Sequence, residues 1–534
     1  MMDSLYIAQT GLKTARYGVD VSSNNIANED TVGYKKRVIQ TSELSSLENN
    51  IGNGVSFDGV MRTTSQYLYS QILNQNSYST YYTQQNSTLS SAEMIFKETA
   101  TSGFSINLNK FFTSVESLRG EPTSSTYQSE VDTQAQMLTT SIKNIYADLE
   151  ELQDDNLSLL KDQVEEVNSI LEQIVHINKK MVETGETNEL LDKRDALESK
   201  LSNYADIDVS NENGNYYLKI AGENVIFNTS SYHELSVVEE YTEQKDIYTT
   251  SELEDFNMTG ASNTVTITLN NTDTITLTVG DLTGAPENEL KQQIVDAINN
   301  SSAFNSVEAY LDSSNNLVIK GVEGGEDNAF DIKIAVNDTT LEKDALSKEA
   351  LDHVSVAVYN NELDFTGGTF KSLSENLTSE TSEILSYKRS LNDFAKAFVE
   401  AYMQDNTTSM FTGSSVKTFE YVRNSTYNLT ASDLEAISQV QWNSNLSIGS
   451  DSSISLNQFY QNLLVKVSSD VEDNKFNSES QDAVLNSMLT TYENLTKVDP
   501  DEEMINLMQY QAAYEANAKV ITAVDEMLQT ILDM

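Results

Sequence analysis

The sequence predicts a mixed α and β, multidomain protein of discontinuous build: terminal coiled-coil helices, a long helical-bundle body and an inserted β-rich outer region. Three observations lead there. Apolar residues recur every seven positions at both ends of the chain. Helical periodicity dominates residues 61–203 and returns after about 375. Between them, from Asp206 onward, the apolar pattern becomes two-fold, the period of a half-buried strand. The expected domains are therefore 1–40 with 500–534 as paired terminal helices, 41–204 with 372–499 as the helical body, and 205–371 as the β-rich part. A small inserted module falls at about 250–350.

In the first helix Leu5, Ala8, Leu12, Ala15, Val19, Ser22 and Ile26 alternate by three and four residues, an a/d seam with the large side chains at every seventh position. The small residues at 8, 15 and 22 permit close helix approach. Asn24, Asn25 and Asn28, then Gly33, end the pattern. The last helix mirrors it. Asp499-Pro500-Asp501-Glu502 supplies an N-cap acid, a proline at the first helical position and an acidic first turn. Leu507, Tyr514, Ile521 and Leu528 then recur by sevens, with Tyr510, Val524 and Ile531 at the second seam position. The run predicts a helix of about nine turns.

The chain has only three prolines, at 122, 286 and 500, which permits long helices elsewhere. After Gly120-Glu121-Pro122, a stripe of Ile142, Ile145, Leu149 and Leu152 continues as Leu160, Val164, Val167, Leu171 and Ile174, with a phase slip near Asn156. A short helix carries Leu190, Leu197 and Leu201. Val265, Ile267 and Leu269, then Ile275, Leu277 and Val279, flank a turn at Asn270–Asp273 and predict a β-hairpin. Alternating runs follow at Leu317/Ile319, Ile332/Ile334/Val336 and Val354/Val356/Val358, with a helix near 287–300. Further helices are expected at about 375–404, at 456–471 and at 481–496. The order helix, β, helix requires the two helical parts to meet in space, so the chain ends emerge together.

Composition narrows the function. The 534 residues carry a formal net charge of −49, with pI about 4.2 and mean hydropathy −0.41. Such a chain is repelled by phosphate backbones and anionic lipid, so nucleic acid and membrane are poor partners. Cysteine is absent, which rules out disulfides and thiolate chemistry. No basic stretch followed by an apolar run opens the chain, so no cleaved signal peptide is expected, and no stretch of about 18 apolar residues predicts a membrane span.

No catalytic constellation is present in the pattern. His176 sits in the long helix, His353 precedes a strand, and His233-Glu234 is followed by Val237 where a zinc-protease motif needs its second histidine. Gly52 and Gly54 are followed by Phe57, so the third glycine of a dinucleotide loop is missing. The acidic run Glu323–Asn328 lacks the alternating ligands of a calcium loop and reads as a solvated turn. The expectation is no enzyme, no metal and no cofactor.

What remains is surplus apolar surface. Tyr6, Ile7, Tyr17 and Val21 lie off the first seam, and Ile505, Met508, Val520 and Leu532 lie off the second. Helices apolar on more than one face need more than one neighbour, which predicts self-assembly through Leu5, Leu12, Val19, Ile26, Leu507, Tyr514, Ile521 and Leu528.

Ser22-Ser23-Asn24-Asn25-Ile26-Ala27-Asn28 with Thr31-Val32-Gly33-Tyr34 resembles the N-terminal motif of the bacterial flagellar axial proteins of rod, hook and hook-associated protein 1. Asp499, Asp501-Glu502-Glu503-Met504, Tyr510-Gln511, Ala513-Tyr514, Ala516 and Ala518-Lys519-Val520 look like the matching C-terminal end. Within that family, Gly33-Tyr34-Lys35-Lys36-Arg37 is closer to the hook protein's pattern. The body, with Glu121-Pro122-Thr123-Ser124-Ser125, Glu189-Leu190-Leu191-Asp192-Lys193-Arg194-Asp195 and Leu201-Ser202, is similar to the helical domain of hook-associated protein 1. Residues 275–321 resemble a small insertion module of flagellins and hook-associated proteins.

The resemblance implies a structural subunit of the hook–filament junction, extracellular in the bacterial flagellum and exported without a cleaved signal through the type III route. It implies as partners copies of itself in a ring or tube, the hook protein, a second junction protein and a cytoplasmic export chaperone at the C-terminal region. The alternatives are the hook protein itself or, from another class, a secreted binding protein or adhesin.

Overall fold

The computed structural model describes residues 2–44, 52–99, 102–212, 214–242, 247–250, 263–269, 273–279, 287–301, 304, 307–311, 317–321, 331–336, 339–344, 350–359, 361–379, 381–403, 410–413, 415–417, 419–421 and 430–533. The chain forms two compact units, Met1–Val237 with Ser355–Met534, and Val238–Val354. Its helices are α1 (Met2–Ala27), α2 (Gln66–Ile95), α3 (Phe104–Gly120), α4 (Ser125–Thr184), α5 (Asn188–Leu201), α6 (Glu287–Asn299), α7 (Gly368–Thr378), α8 (Glu383–Met403), α9 (Ala431–Gln439), α10 (Leu456–Thr496) and α11 (Pro500–Leu532).

The first unit is mainly helical. Its 60-residue α4 meets no proline or glycine until Gly185, which ends it at φ 89°. Val131, Ala135, Leu138, Ile142 and Leu149, then Leu160, Val164, Val167, Leu171 and Ile174, are buried along one face. The helix runs unbroken through the phase slip, with Asn156 buried at the seam position between the two halves. Around α3, α4, α8 and α10 the core is aromatic. Phe104, Phe111, Phe394, Phe398, Phe411 and Tyr460 are essentially sealed from solvent, and Phe111 and Phe411 meet edge to face at 5.4 Å. Burial stabilises each such ring by about 1.5–3 kcal/mol.

Three expected helices in this unit differ from the structure. The helix expected over 375–404 is two, because Ser382 accepts from Leu385 N at 3.3 Å and donates to Asn376 O at 3.2 Å, capping α8 while closing α7. The helices expected at 456–471 and 481–496 are one continuous α10. Its middle packs on α2 through polar groups: Asn474 Nδ2 donates to Tyr82 O at 3.0 Å, and Ser79 donates to Asp482. A face built of amides and hydroxyls leaves no apolar period to detect.

Residues 41–62, expected to begin the helical body, instead contain most of a hairpin, β1 (Arg37–Glu43) and β2 (Val55–Arg62), paired antiparallel from Arg37 opposite Arg62. Both strands are half-exposed, so their apolar residues are too sparse to show a two-fold period.

The expected β-rich region 205–371 is divided between the units. Strands Ile207–Glu212, Asn215–Ile220, Glu223–Phe227 and Ser231–Tyr232 form a four-stranded antiparallel sheet within the first unit. In the second unit Asn263–Leu269 pairs antiparallel with Asp273–Val279, Val265 opposite Leu277, as the alternation predicts. The turn at 270–272 lies outside the described residues. Asp331–Val336 flanks the other side of Asn263–Leu269 and pairs in turn with Thr339–Asp344. A second sheet orders Val307–Leu311, Leu317–Gly321 and Ile247–Thr250. Leu290, Ile294 and Ile298 of α6 close this core against Ile267, Ile319 and Ile334. The acidic run 323–328 lies outside the described residues as well.

Candidate assembly interface

The two chain ends meet. Gly11 lies against Asn517 and Gly18 against Tyr510, so α1 and α11 run antiparallel. The seam of closest approach on α1 is Ala8, Gly11, Ala15, Gly18, Ser22 and Asn25, spaced by three and four, and Ala8, Ala15 and Ser22 are each no more than 4% exposed. Leu5, Leu12, Val19 and Ile26 sit one residue round from that line and are half-buried at its flank. The seam expected from the sequence joins these four to Ala8, Ala15 and Ser22 and omits Gly11 and Gly18, because a glycine carries no hydrophobic signal, although only glycine admits the Tyr510 ring. On α11, Val524 and Glu503 are buried, Leu507, Ile521 and Leu528 are half-buried, and Tyr514 is 41% exposed.

The opposite flank of α1 is covered by the hairpin. Tyr17 stacks on Phe57 with ring centroids 4.1 Å apart, and Val55 N donates to Thr10 Oγ1 at 3.3 Å.

The asparagine-rich end of α1 is a clasp. Asn25 is fully buried; its Nδ2 donates to Arg37 O at 2.8 Å, and its Oδ1 accepts from Arg37 N at 3.0 Å and Tyr34 Oη at 2.8 Å. Tyr34 Oη also reaches Asn24 Oδ1 at 3.0 Å. Asn28 donates to Asn24 O at 2.9 Å and accepts from Thr31 Oγ1 at 3.2 Å, closing the turn. Gly33 has φ 81°, the left-handed conformation that turns the chain back so that Tyr34 faces the helix it has just left. Ile26 is half-buried and Ala27 exposed. Burial pushes the Tyr34 phenol above its usual range, with the Arg37 guanidinium 4.6 Å over its ring opposing the shift.

The three basic residues after Tyr34 each take a different partner. Lys35 is buried and ion-paired with Asp195 of α5. Lys36 Nζ reaches Glu502 at 2.8 Å and the buried Glu503 at 3.6 Å in the first turn of α11, and these bonds outweigh its partial burial to raise the ammonium pKa. Arg37 lies 3.7 Å from Asp192. Arg62, at the end of β2, bridges Asp192 at 3.1 Å and Asp195 at 2.7 Å. Sequence reading left this run unassigned; the only signal for it was the Asp192-Lys193-Arg194-Asp195 motif far along the chain.

One turn further along α5, Glu198 is buried beside Arg194 at 3.4 Å and accepts from Tyr216 Oη at 2.9 Å. Burial first, then the neighbouring Asp195 carboxylate, push Glu198 up to about 7.

Apart from the seam, α11 leaves many apolar side chains uncovered. Met504, Ile505, Met508, Val520, Met527, Ile531 and Leu532 are between 44% and 83% exposed, on several sides of the helix. Tyr6 of α1 is 54% exposed. Among the described residues no helix is long and apolar enough to cross a membrane, and no group of three or more His, Cys, Asp or Glu is placed to hold a metal ion.

Residues 89–304 match the family model of the flagellar hook-associated protein FlgK helical domain, residues 492–534 that of the flagellar basal body rod FlgEFG protein C-terminal region, and residues 5–35 that of the flagella basal body rod protein. Flagellar hook-associated protein 1 of Bacillus subtilis is 29% identical over 220 residues, covering 39% of this chain and 43% of the relative. The protein of the same name from Salmonella typhimurium is 26% identical over 242 residues, 43% of each. The matches thus span less than half the length of these relatives. The solved flagellar hook junction protein FlgK of Burkholderia pseudomallei aligns over 79% of this chain and 99% of its own, at 11% identity and TM-score 0.41. The chain resembles hook-associated protein 1 through its helical body and the flagellar rod proteins at both ends.

Proposed function

We propose that this protein is a structural, non-catalytic subunit of the bacterial flagellum that forms the junction between hook and filament by self-assembly through α1 and α11. One observation carries the reading. α11 packs one face along α1 and leaves Met504, Ile505, Met508, Val520, Met527, Ile531 and Leu532 in water. Scattered apolar residues are ordinary on a surface, but this many on several sides of one terminal helix exceeds what a single neighbour can cover. Copies of the same chain, arranged in a ring or tube, supply the missing neighbours.

The partners that follow are the hook protein on one side and a second junction protein on the other. The subunit acts outside the cell and travels there through the flagellar type III exporter, held beforehand by a chaperone at its C-terminal region that masks the apolar surface of α11. Leu5, Leu12, Val19, Ile26, Leu507, Tyr514, Ile521 and Leu528 line or flank the surface that neighbouring copies cover.

The test is addition of purified protein to isolated hook ends. A thin collar that then accepts filament is the expected product, and removal of residues 505–534 abolishes it while the helical body stays folded. Growth of a long tube, or collar formation without α11, refutes the reading.

A further inference from the structure

Assembly through α1 and α11 requires that something fix the direction in which the two helices leave the body. The answer has to lie in a small area, since α11 packs principally along α1, and α1 packs on α11 and the hairpin. Around the junction the contacts are polar. Lys36 N donates to Thr496 O at 2.7 Å, Thr63 N donates to Lys36 O at 2.8 Å, and Asn188 Nδ2 donates to Val60 O at 3.0 Å.

At the centre of these contacts is Lys35. Its Nζ lies 4.9 Å from the ring centre of Tyr69 in α2 and 5.5 Å from that of Tyr492 in α10, and is ion-paired with Asp195 of α5. One cation from the segment after α1 thus enters a cage made by three body helices. The cage is braced independently of the lysine: Tyr69 Oη donates to Asp195 O at 2.8 Å, Thr64 and Tyr492 hydroxyls meet at 3.0 Å, and the two rings sit 6.0 Å apart. Ion pairs and cation–π contacts are directional, whereas apolar burial is not, so this plug selects one orientation from the many that a purely apolar contact would tolerate.

We propose that Lys35 is the positioning residue that sets the direction of the terminal helix pair relative to the helical body, and that junction assembly requires the direction it sets. The second half rests on the assembly reading; the first does not. Removing the ammonium leaves Asp195 held by Arg62 alone and the two rings facing an empty slot, without touching the α1–α11 seam.

The chain has no cysteine, so spin labels can be placed at Glu479→Cys in α10 and Glu515→Cys in α11, both exposed, and the distance between them measured in the full-length monomer. In otherwise native protein a narrow distribution is expected. Lys35→Met should broaden it with helix content unchanged, and lower collar formation at hook ends about tenfold. Lys35→Arg, which keeps the charge and the stacking, should restore most of both.

An unchanged distribution in Lys35→Met overturns the proposal, as does a broadened one with full collar formation. Should Lys35→Met fail to fold, Asp195→Asn is held to the same two criteria. If wild-type protein forms no collar at all, the assembly reading fails, and the monomer distances still decide whether Lys35 sets the direction.

Discussion

The backbone of Gly18 in α1 lies flat against the ring of Tyr510 in α11, so closely that a Cβ at position 18 would stand 2.5 Å from the ring. The helix pair is therefore held at a separation that only a hydrogen side chain permits. Gly18→Val should force the ring or the helix aside at a cost of about 1–3 kcal/mol, the range for overpacking a closed contact. Because α11 has little other support in the monomer, the effect should be local. Hydrogen exchange along 500–532 should accelerate, while the unfolding transition of the helical body stays within a degree or two of wild type.

Asn25→Ala attacks the clasp instead. The side chain makes three hydrogen bonds, two to the Arg37 backbone and one from Tyr34, with no solvent to replace them. Unmet buried groups cost about 1–3 kcal/mol each, so an overall loss of ~2–3 kcal/mol in the linkage of α1 to β1 is expected. Exchange of the Arg37 amide reads it directly. Retained protection of that amide in Asn25→Ala would contradict the clasp.

These two sites mark the line between what the sequence discloses and what it hides. The terminal helices, α4 and the 263–279 hairpin were legible because burial there is apolar and periodic, and Pro500 with Asp499 marks a helix start that the structure shows as a cap, Asp499 Oδ1 accepting from Asp501 N at 2.9 Å. The Gly11 and Gly18 positions were not, since a residue that works by lacking a side chain leaves no mark in a hydrophobic pattern. Nor was the middle of α10, whose partners are amides and hydroxyls of α2. Lys35 and Asp195 are 160 positions apart, and no local period connects them. The asparagines of the α1 terminus were visible as a helix stop, but their bonds to Tyr34 and Arg37 follow from the turn at Gly33, which is tertiary information.

Glu198 makes stability depend on pH in a direction opposite to most carboxylates. Its folded pKa, raised by burial and by Asp195 to about 7, lies above the ordinary value of 4.5. Between these limits the folded state binds the proton more readily than the unfolded chain, so stability falls as pH rises. The contribution is fully present below about pH 4.5 and is lost as pH passes through about 7, an amount of order 3 kcal/mol. Glu198→Gln keeps an acceptor for Tyr216 and removes the titration. Urea unfolding at pH 5 and pH 8 should show the wild type losing stability relative to Glu198→Gln across that interval. Parallel pH curves for the two proteins would exclude the assignment.

Asn156 offers the converse experiment, in which a polar group is removed for gain. It is 5% exposed at the seam position of α4 between Leu149 and Leu160, and its Nδ2 meets no acceptor among the described residues. A buried amide without a partner is penalised by roughly 1–3 kcal/mol, while a leucine of similar size continues the apolar stripe. Asn156→Leu should therefore raise the stability of the helical body by about 1–2 kcal/mol, seen as a higher midpoint in urea at unchanged slope. The retained asparagine would then be a marker of register: the stripe on α4 changes phase at this residue, and a polar side chain there penalises a slide of α4 along α7 and α8 that an all-apolar seam would allow. Two measurements separate these effects. If Asn156→Leu is more stable and keeps a single set of methyl resonances, the amide is only a cost. If the gain comes with doubled resonances at Leu149 and Leu160, Asn156 fixes the register of the longest helix in the protein.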